Sequence, residues 1–428
     1  MTAHLLDEPI SNRTGARASI VADAAPAALG RTVIATINRL QGTTGVHTHT
    51  AALRDGFRAQ GVPCDVVTPF DNGPQWLAVF AVRPLVLDRL FPSRSVHWYR
   101  YWHAAALRHG LRRCLSSHDV AHVVAQCPVS AQAALDVRRA LRQEASVTIT
   151  LVCHFNYSEA LEYRELGQLD DQTAYLRMLS FEADVLRSVD QVVYVSEWAR
   201  RIVESDRKII PRASAVIHNG IQVPAQPGPG VSRDDISAAP GDLLMINVGS
   251  LERRKNQLGL LDLFASVVAR EPRAMLLLVG DGPDRNAIER RAGALGIAPR
   301  VKLLGRRADV AGLLGLADLY VHYATAENCP MAIIESAAAG LPWAAVPAAG
   351  VEELQRLIGG CIAIDPHDIT HATDAILSIL NDPPRRARLG AAARRRFHDG
   401  FTGQSMVRSY LRLLGDAGRI GPIAEGAA

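Results

Sequence analysis

Two α/β domains, each a doubly wound parallel (Rossmann-like) sheet and the pair facing a cleft, are what this sequence predicts. Three observations carry that expectation. Short aliphatic runs alternate with helical patterns, first in one half of the chain and again in the other. The runs are continuously apolar rather than alternating, which suits strands buried on both faces. A stretch dense in proline, glycine and serine separates the two series, and strand–helix–strand rhythm twice over means two parallel sheets.

In the first series the predicted strands are 32–37 (TVIATI), 63–67, 120–125, 147–153 (VTITLVC), 191–196 and 214–218. In the second they are 243–248 (LLMINV), 275–280 (MLLLVG), 300–304, 318–322, 343–346 and 361–364. Gln257–Arg270 and Asp284–Leu295 have apolar positions three and four apart, the spacing of amphipathic helices. The break is IQVPAQPGPGVSRDDISAAPGD. The expected organisation is therefore a disordered tail at 1–28, a first, acceptor-side domain at 29–222, a linker at 223–240 and a second, nucleotide-binding domain at 241–402. A helix at 403–414 (GQSMVRSYLRLL) is expected to return to the first domain, followed by a disordered tail at 415–428.

The chain has 428 residues, 48% of them hydrophobic and 21% charged, enough to bury two cores without disulfides and too apolar for a disordered chain. Six scattered cysteines include no Cys-x-x-Cys pair, so reduced thiols are expected. Forty-seven basic residues against 43 acidic ones are too weak an excess to indicate nucleic acid. No apolar run reaches the roughly 18–20 residues of a spanning helix, and the start MTAHLLDEPISNRTGARAS has no signal-like apolar core. A soluble, cytoplasmic protein is expected. Only three of the basic residues are lysines (Lys208, Lys255 and Lys302), which makes a lysine inside a motif informative.

The densest chemistry lies in DLYVHYATAENCPMAIIESAAAGLPW. A strand ending near Tyr323 leads through the loop Ala324–Cys329 to Pro330 and a helix, Met331–Ala339, closed by Gly340. Backbone N–H groups and the dipole at that helix start form an anion site that fits a diphosphate. Glu327 stands at its mouth, and Glu335, about one turn in, can accept from sugar or ribose hydroxyls.

At these residues the sequence resembles the retaining glycosyltransferases of the GT-B fold, family 4. ENCPMAIIE followed by SAAAGLP matches the family's Glu-x7-Glu signature. GTTGVHTHT, YVSEWAR, VIHNGI, NVGSLERRKNQLGLL and LLLVGDGPDR resemble further family elements in the family's order. The resemblance implies an enzyme that moves a sugar from a nucleotide-diphosphate sugar, with a uridine nucleotide as the family default; the sugar is left between N-acetylglucosamine, taken first, and glucose. It places Gly42 and Gly45 in a loop under the leaving phosphate, and Gly249 and Gly280 in the turns of the second domain. Arg254 and Lys255, with Arg253 as a substitute, would meet the diphosphate; Ser250 stands where family members often carry arginine. Asn328, Cys329, Pro330 and Met331 would hold the donor, Glu327 its sugar hydroxyls and Glu335 its ribose. His154 would lie near donor sugar and acceptor. The resemblance implies metal-independent catalysis with no cofactor, and the sequence contains no Asp-x-Asp signature.

The acceptor is left open. Glu159, Glu162, Glu165, Asp170 and Asp171 after His154 are either a solvated helix or an attraction for a small amine-bearing acceptor, such as an aminocyclitol of antibiotic biosynthesis. The aromatic, arginine-rich segment 76–113 with Trp98 and Tyr99 is an acceptor platform, a membrane-surface helix or ordinary packing. Exopolysaccharide or lipid-linked glycan acceptors, a noncatalytic sugar-nucleotide-binding protein and an isomerase on the same fold are the alternatives. The oligomeric state is not encoded in these patterns.

Overall fold

The computed structural model describes residues 29–417 apart from 41, 43, 72, 74, 75, 77–79, 81–86, 88–91, 118 and 223–229. The tail expected at 1–28, residues 418–428 of the tail expected at 415–428, and the start of the linker lie outside the described residues.

The first domain carries a parallel sheet of β1 (Arg31–Ala35), β2 (Cys64–Val67), β3 (Val120–Ala125), β4 (Thr148–Cys153), β5 (Gln191–Tyr194) and β6 (Ser214–Val216). The second carries β7 (Leu243–Val248), β8 (Ala274–Val279), β9 (Val301–Gly305), β10 (Leu319–His322), β11 (Trp343–Ala345) and β12 (Cys361–Ala363). Their orders are β2-β1-β3-β4-β5-β6 and β12-β11-β10-β7-β8-β9. Every expected strand run falls on one of these strands. Ile34 sits between Val66 and Val124, and Leu277 between Ile246 and Lys302. Central strands such as β8 are buried along their whole length, which is why their sequences do not alternate.

In each sheet the strand order reverses once, between β1 and β3 and between β7 and β10. Ligands bind outside the carboxyl ends of strands at such switch points. Here both reversals open onto one cleft between the domains.

The helix Gly403–Ala417 packs on Gly45–Ala59 of the first domain, with Val407 against Gly56. It outlasts the expected end at 414: residues 415–417 are helical, not a disordered tail, with Gly415 beside Leu29 and Leu414 buried in the same apolar cluster. The linker is also shorter than its composition predicts. Ile236 and Ala238 are buried in the core, and Arg233 donates to the carbonyls of Ala239 and Asp242, so the stretch after 230 is a packed part of the second domain. Among the described residues no helix is long and apolar enough to cross a membrane.

Candidate active site

The interdomain cleft encloses about 630 Å³. The carboxyl ends of β1, β3 and β4 supply one wall, and those of β7 and β8 with the Glu327 loop supply the other.

On the second wall, β7 runs into a single 3₁₀ turn, Arg253–Lys255. Successive residues of such a turn point about 120° apart. Arg254 and Lys255 therefore line the cleft, while Arg253 is exposed and does not. Asn256 follows in the left-handed conformation (φ 53°) and caps the helix Gln257–Arg270, its side chain accepting from Gly259 N–H at 3.3 Å. The Arg254 carbonyl accepts from Thr325 N–H at 3.0 Å, tying the basic turn to the Glu327 loop. Gly280 is required by close approach: a Cβ there would lie 1.9 Å from the carbonyl oxygen of Gly249.

Lys255 Nζ pairs with Glu327 Oε1 in a largely buried ion pair. Burial alone would raise the Glu327 carboxyl, but the charge of Lys255, the adjacent His322 ring and the charge of Arg254 outweigh it and hold the carboxyl far below the usual carboxylate range. His322 Nε2 lies 3.1 Å from Glu327 Oε2 without the alignment of a hydrogen bond. That oxygen is thus buried and has no hydrogen-bond partner among the described residues. Glu335 also lines the cleft, and burial raises its carboxyl. No hydrogen bond or ion pair among the described residues engages it. Met331 and Ala332 begin the helix Met331–Ala339 and line the cleft, where their N–H groups have no intrahelical carbonyl to bond.

All four residues expected to hold the donor line the cleft, and two of them also tie the domains together. Pro330 and Met331 line the cleft at the helix start, with Met331 Cγ 3.1 Å from where a Gly45 Cβ would stand. Asn328 and Cys329 join the domains: the Asn328 side chain accepts from Ser196 Oγ and donates to the Phe155 carbonyl at 3.1 Å, and the Cys329 carbonyl accepts from Asn219 Nδ2 at 3.1 Å. Burial pushes the Cys329 thiol up to about 12, so it is a thiol, not a thiolate.

On the first wall, His154 follows β4 and donates through Nε2 to Gln126 Oε1 at 2.9 Å. Its ring meets His49 edge-on, with centroids 4.7 Å apart. Burial, then the neighbouring His49, hold His154 well below its usual pKa, so it is a neutral imidazole. His49 is buried, its Nδ1 bonds to Asn219 Oδ1 at 3.0 Å, and burial lowers it to about 4. Gly45 lines the cleft, whereas Gly42 packs under the His47 ring and does not.

Of the acceptor candidates, Glu159 and Glu162 line the cleft. Arg100 neutralises Glu159 at 2.6 Å, and Glu162 Oε1 accepts from Asn156 N–H at 3.0 Å while burial raises its carboxyl. Asp171 caps the helix Gln172–Ser188. The structure does not bring Trp98 or Tyr99 to the cleft. Both lie on the helix Pro92–Leu115 and stack on side chains one turn away, Trp98 on Trp102 (5.5 Å) and Tyr99 on His103 (3.9 Å). Sequence reasoning missed Gln126, His49 as a buried partner, Asn219 and Glu353. A position just past a strand's carboxyl end marks Gln126, and the quoted VIHNGI contains Asn219; nothing local marks the others.

Two family models match, Glycosyltransferase Family 4 over residues 43–223 and Glycosyl transferases group 1 over residues 231–396. The lipopolysaccharide core biosynthesis glycosyltransferase LpsD of Rhizobium meliloti is 28% identical over 190 residues, 44% of this chain and 54% of that protein. The N-acetyl-alpha-D-glucosaminyl L-malate synthase of Bacillus anthracis is 26% identical over 178 residues, 42% of this chain and 46% of that protein. The alignments thus span about half the length of each of these relatives. Anabaena HepE, solved with UDP and glucose, superposes with a TM-score of 0.66 at 18% identity, covering 90% of this chain and 100% of that one. Sucrose-phosphate synthase of Thermosynechococcus elongatus gives 0.69 at 18% identity, covering 90% and 99%. With both halves matched in order and two parallel sheets around one cleft, the chain belongs to the group 1, family 4 glycosyltransferases of the GT-B fold.

Proposed function

We propose that this protein is a retaining, metal-independent glycosyltransferase that moves a sugar from a UDP-sugar, with UDP-N-acetylglucosamine favoured, to an acceptor hydroxyl. One observation carries the reading: a helix start, two cations and two carboxylates with open acceptor oxygens line the same cleft. The N–H groups of Met331 and Ala332 receive the diphosphate, and Arg254 and Lys255 take up charge as it departs. Glu335 accepts from the ribose hydroxyls and Glu327 Oε2 from a hydroxyl of the transferred sugar. Because Lys255 and the surrounding charge hold Glu327 ionised and paired, it serves as an anchor for the sugar and the cation rather than as a nucleophile. Neutral His154 offers hydrogen bonds to the sugar or acceptor without adding charge. HepE, solved with UDP and glucose, supports a uridine donor.

The relatives' names, lipopolysaccharide core biosynthesis among them, support a glycan or glycolipid precursor as acceptor. An amine-bearing aminocyclitol is the second reading, favoured by Glu162 alone now that Arg100 occupies Glu159. Unpaired cysteines suit the reducing cytoplasm in which the proposal places the reaction.

Thermal shift with UDP-, GDP-, ADP- and dTDP-sugars, each with and without EDTA, tests the donor. A shift confined to uridine nucleotides and unchanged by EDTA is expected; a shift abolished by EDTA refutes metal independence. Transfer to lipid-linked, saccharide and aminocyclitol acceptors, with the product's anomeric configuration read by NMR, tests the rest. Binding without transfer or hydrolysis would favour a noncatalytic role.

A further inference from the structure

Gln126 stands immediately after β3, and its backbone is fixed there by its N–H donating to the Ala35 carbonyl at 2.9 Å. Its side chain lines the cleft beside His154 and is only 3% exposed. The amide is half used. Oε1 accepts from His154 Nε2, whereas Nε2 is buried with no hydrogen-bond partner among the described residues. Turning the amide over would leave Oε1 open instead and require the Nδ1–H tautomer of His154, so in either orientation the pair offers the cleft one donor and one acceptor. Buried amide groups are almost always paired, and an unpaired one is costly, so an open end on the wall of a ligand cleft points to a ligand atom that completes it.

The chemistry of that atom follows from the neighbours. With its Nε2–H given to Gln126, the His154 ring keeps Nδ1 as an acceptor, and no hydrogen bond among the described residues uses it. The pair therefore presents one donor, the Gln126 amide, and one acceptor, the imidazole. A hydroxyl group, which both donates and accepts, matches such a pair; an anion does not, because the imidazole lone pair repels it. Gln126 cannot adapt by swinging away, since the strand end fixes its backbone and the His154 bond fixes its amide.

We propose that Gln126 contacts the substrate directly, its amide N–H binding a hydroxyl of the transferred sugar while its oxygen holds His154 in the Nε2–H tautomer. This rests on the cleft being the sugar-nucleotide site described above. The role differs from that of Glu327, which reaches the same sugar from the other domain.

The test compares Gln126→Leu, which keeps the bulk and removes both polar ends, with Gln126→Glu, which keeps an acceptor for His154 and removes the donor. Calorimetry measures binding of UDP and of UDP-N-acetylglucosamine, with GDP and GDP-mannose in parallel, and the slow hydrolysis of each sugar nucleotide gives a turnover that needs no acceptor. Both variants are expected to bind the nucleoside diphosphate as the parent does. Their affinity for the sugar nucleotide relative to the diphosphate, and their hydrolysis rate, should fall about ten-fold, the size of one lost hydrogen bond in a dry site. If Gln126→Glu keeps the parent's ratio and rate, the residue only orients His154 and the contact is refuted. If Gln126→Leu keeps them as well, both roles are refuted. A parent that binds none of the four ligands refutes the sugar-nucleotide reading itself, an outcome visible before any variant is made. Should Gln126→Leu not fold, Gln126→Glu still decides the question.

Discussion

Glu353 and His218 join the two domains: His218 Nε2 donates to Glu353 Oε1 at 2.7 Å across 135 residues of sequence. The same carboxylate accepts from the N–H groups of Glu197 and Trp198 at 3.1 and 3.2 Å, and so caps the helix start Glu197–Arg200 of the first domain. Glu353→Ala removes all three bonds and should open the cleft, raising the radius of gyration measured by small-angle scattering without nucleotide. An unchanged radius would show that Asn328 and Asn219 suffice to hold the domains. Burial raises the Glu353 carboxyl, but its bonds to His218 and Glu197 prevail and lower it. Its contribution to stability is therefore full above the ordinary carboxylate pKa and is lost as pH falls below it, so the Tm difference between parent and variant should narrow in acid.

Lys255→Ala should lower turnover about 10²- to 10³-fold, the range seen when one charge-stabilising donor is removed, with a smaller change in donor affinity. Steady-state kinetics on the donor separates the two. A loss confined to KM would place Lys255 in ground-state binding only.

Glu335→Gln should weaken donor binding about ten-fold and leave turnover nearly intact, since ribose contacts form before the chemistry. The same change should raise Tm at neutral pH without ligand, because burial raises the Glu335 carboxyl and nothing among the described residues offsets it. A raised acid pKa costs stability as pH climbs above the unfolded value of 4.5, so the gain should vanish below about that pH. Calorimetry at pH 4 and pH 7.5 checks the sign.

His49 contributes the opposite slope. Its pKa falls from 6.5 to about 4 on folding, so between those values the unfolded chain binds more protons and stability drops as pH is lowered. His49→Gln should flatten that part of the Tm–pH curve relative to the parent. Burial and the neighbouring His49 hold the His154 pKa well below 6.5, so the pH–rate profile should show no limb near pH 6.5 from it.

Gly350 starts the helix Gly350–Ile358, its N–H donates to the Glu327 carbonyl at 2.9 Å, and a Cβ on it would stand 1.6 Å from the Asn328 oxygen. Gly350→Ala must push the loop carrying Glu327 and Asn328 aside. It should abolish nucleotide-dependent thermal shift while the chain stays folded by circular dichroism.

The second-domain wall of the cleft was legible in the sequence because its parts are local. Lys255 and Glu327 lie 72 residues apart, yet each sits in a short segment whose own pattern sets its geometry: a turn after β7 for one, a loop before a proline-led helix for the other. The same reasoning failed at Arg253, whose neighbours do line the cleft, because a 3₁₀ turn spreads three adjacent side chains around its axis. It also left Trp98, Tyr99 and Glu159 open, since an aromatic or acidic residue reads alike whether it faces substrate, a residue one turn away or an arginine such as Arg100.

The sequence by itself determined which segments are strands, that they form two parallel sheets, and where the proline-led helix start at the cleft lies. Those properties depend on periodicity, proline and glycine placement, and groups within a few residues of one another. Only the tertiary structure decided which wall each side chain joins. Glu353 reaching His218, Asn219 reaching the Cys329 carbonyl 110 residues away and Gln126 half-satisfied by His154 all depend on how two sheets pack, and no local pattern specifies a partner that far along the chain.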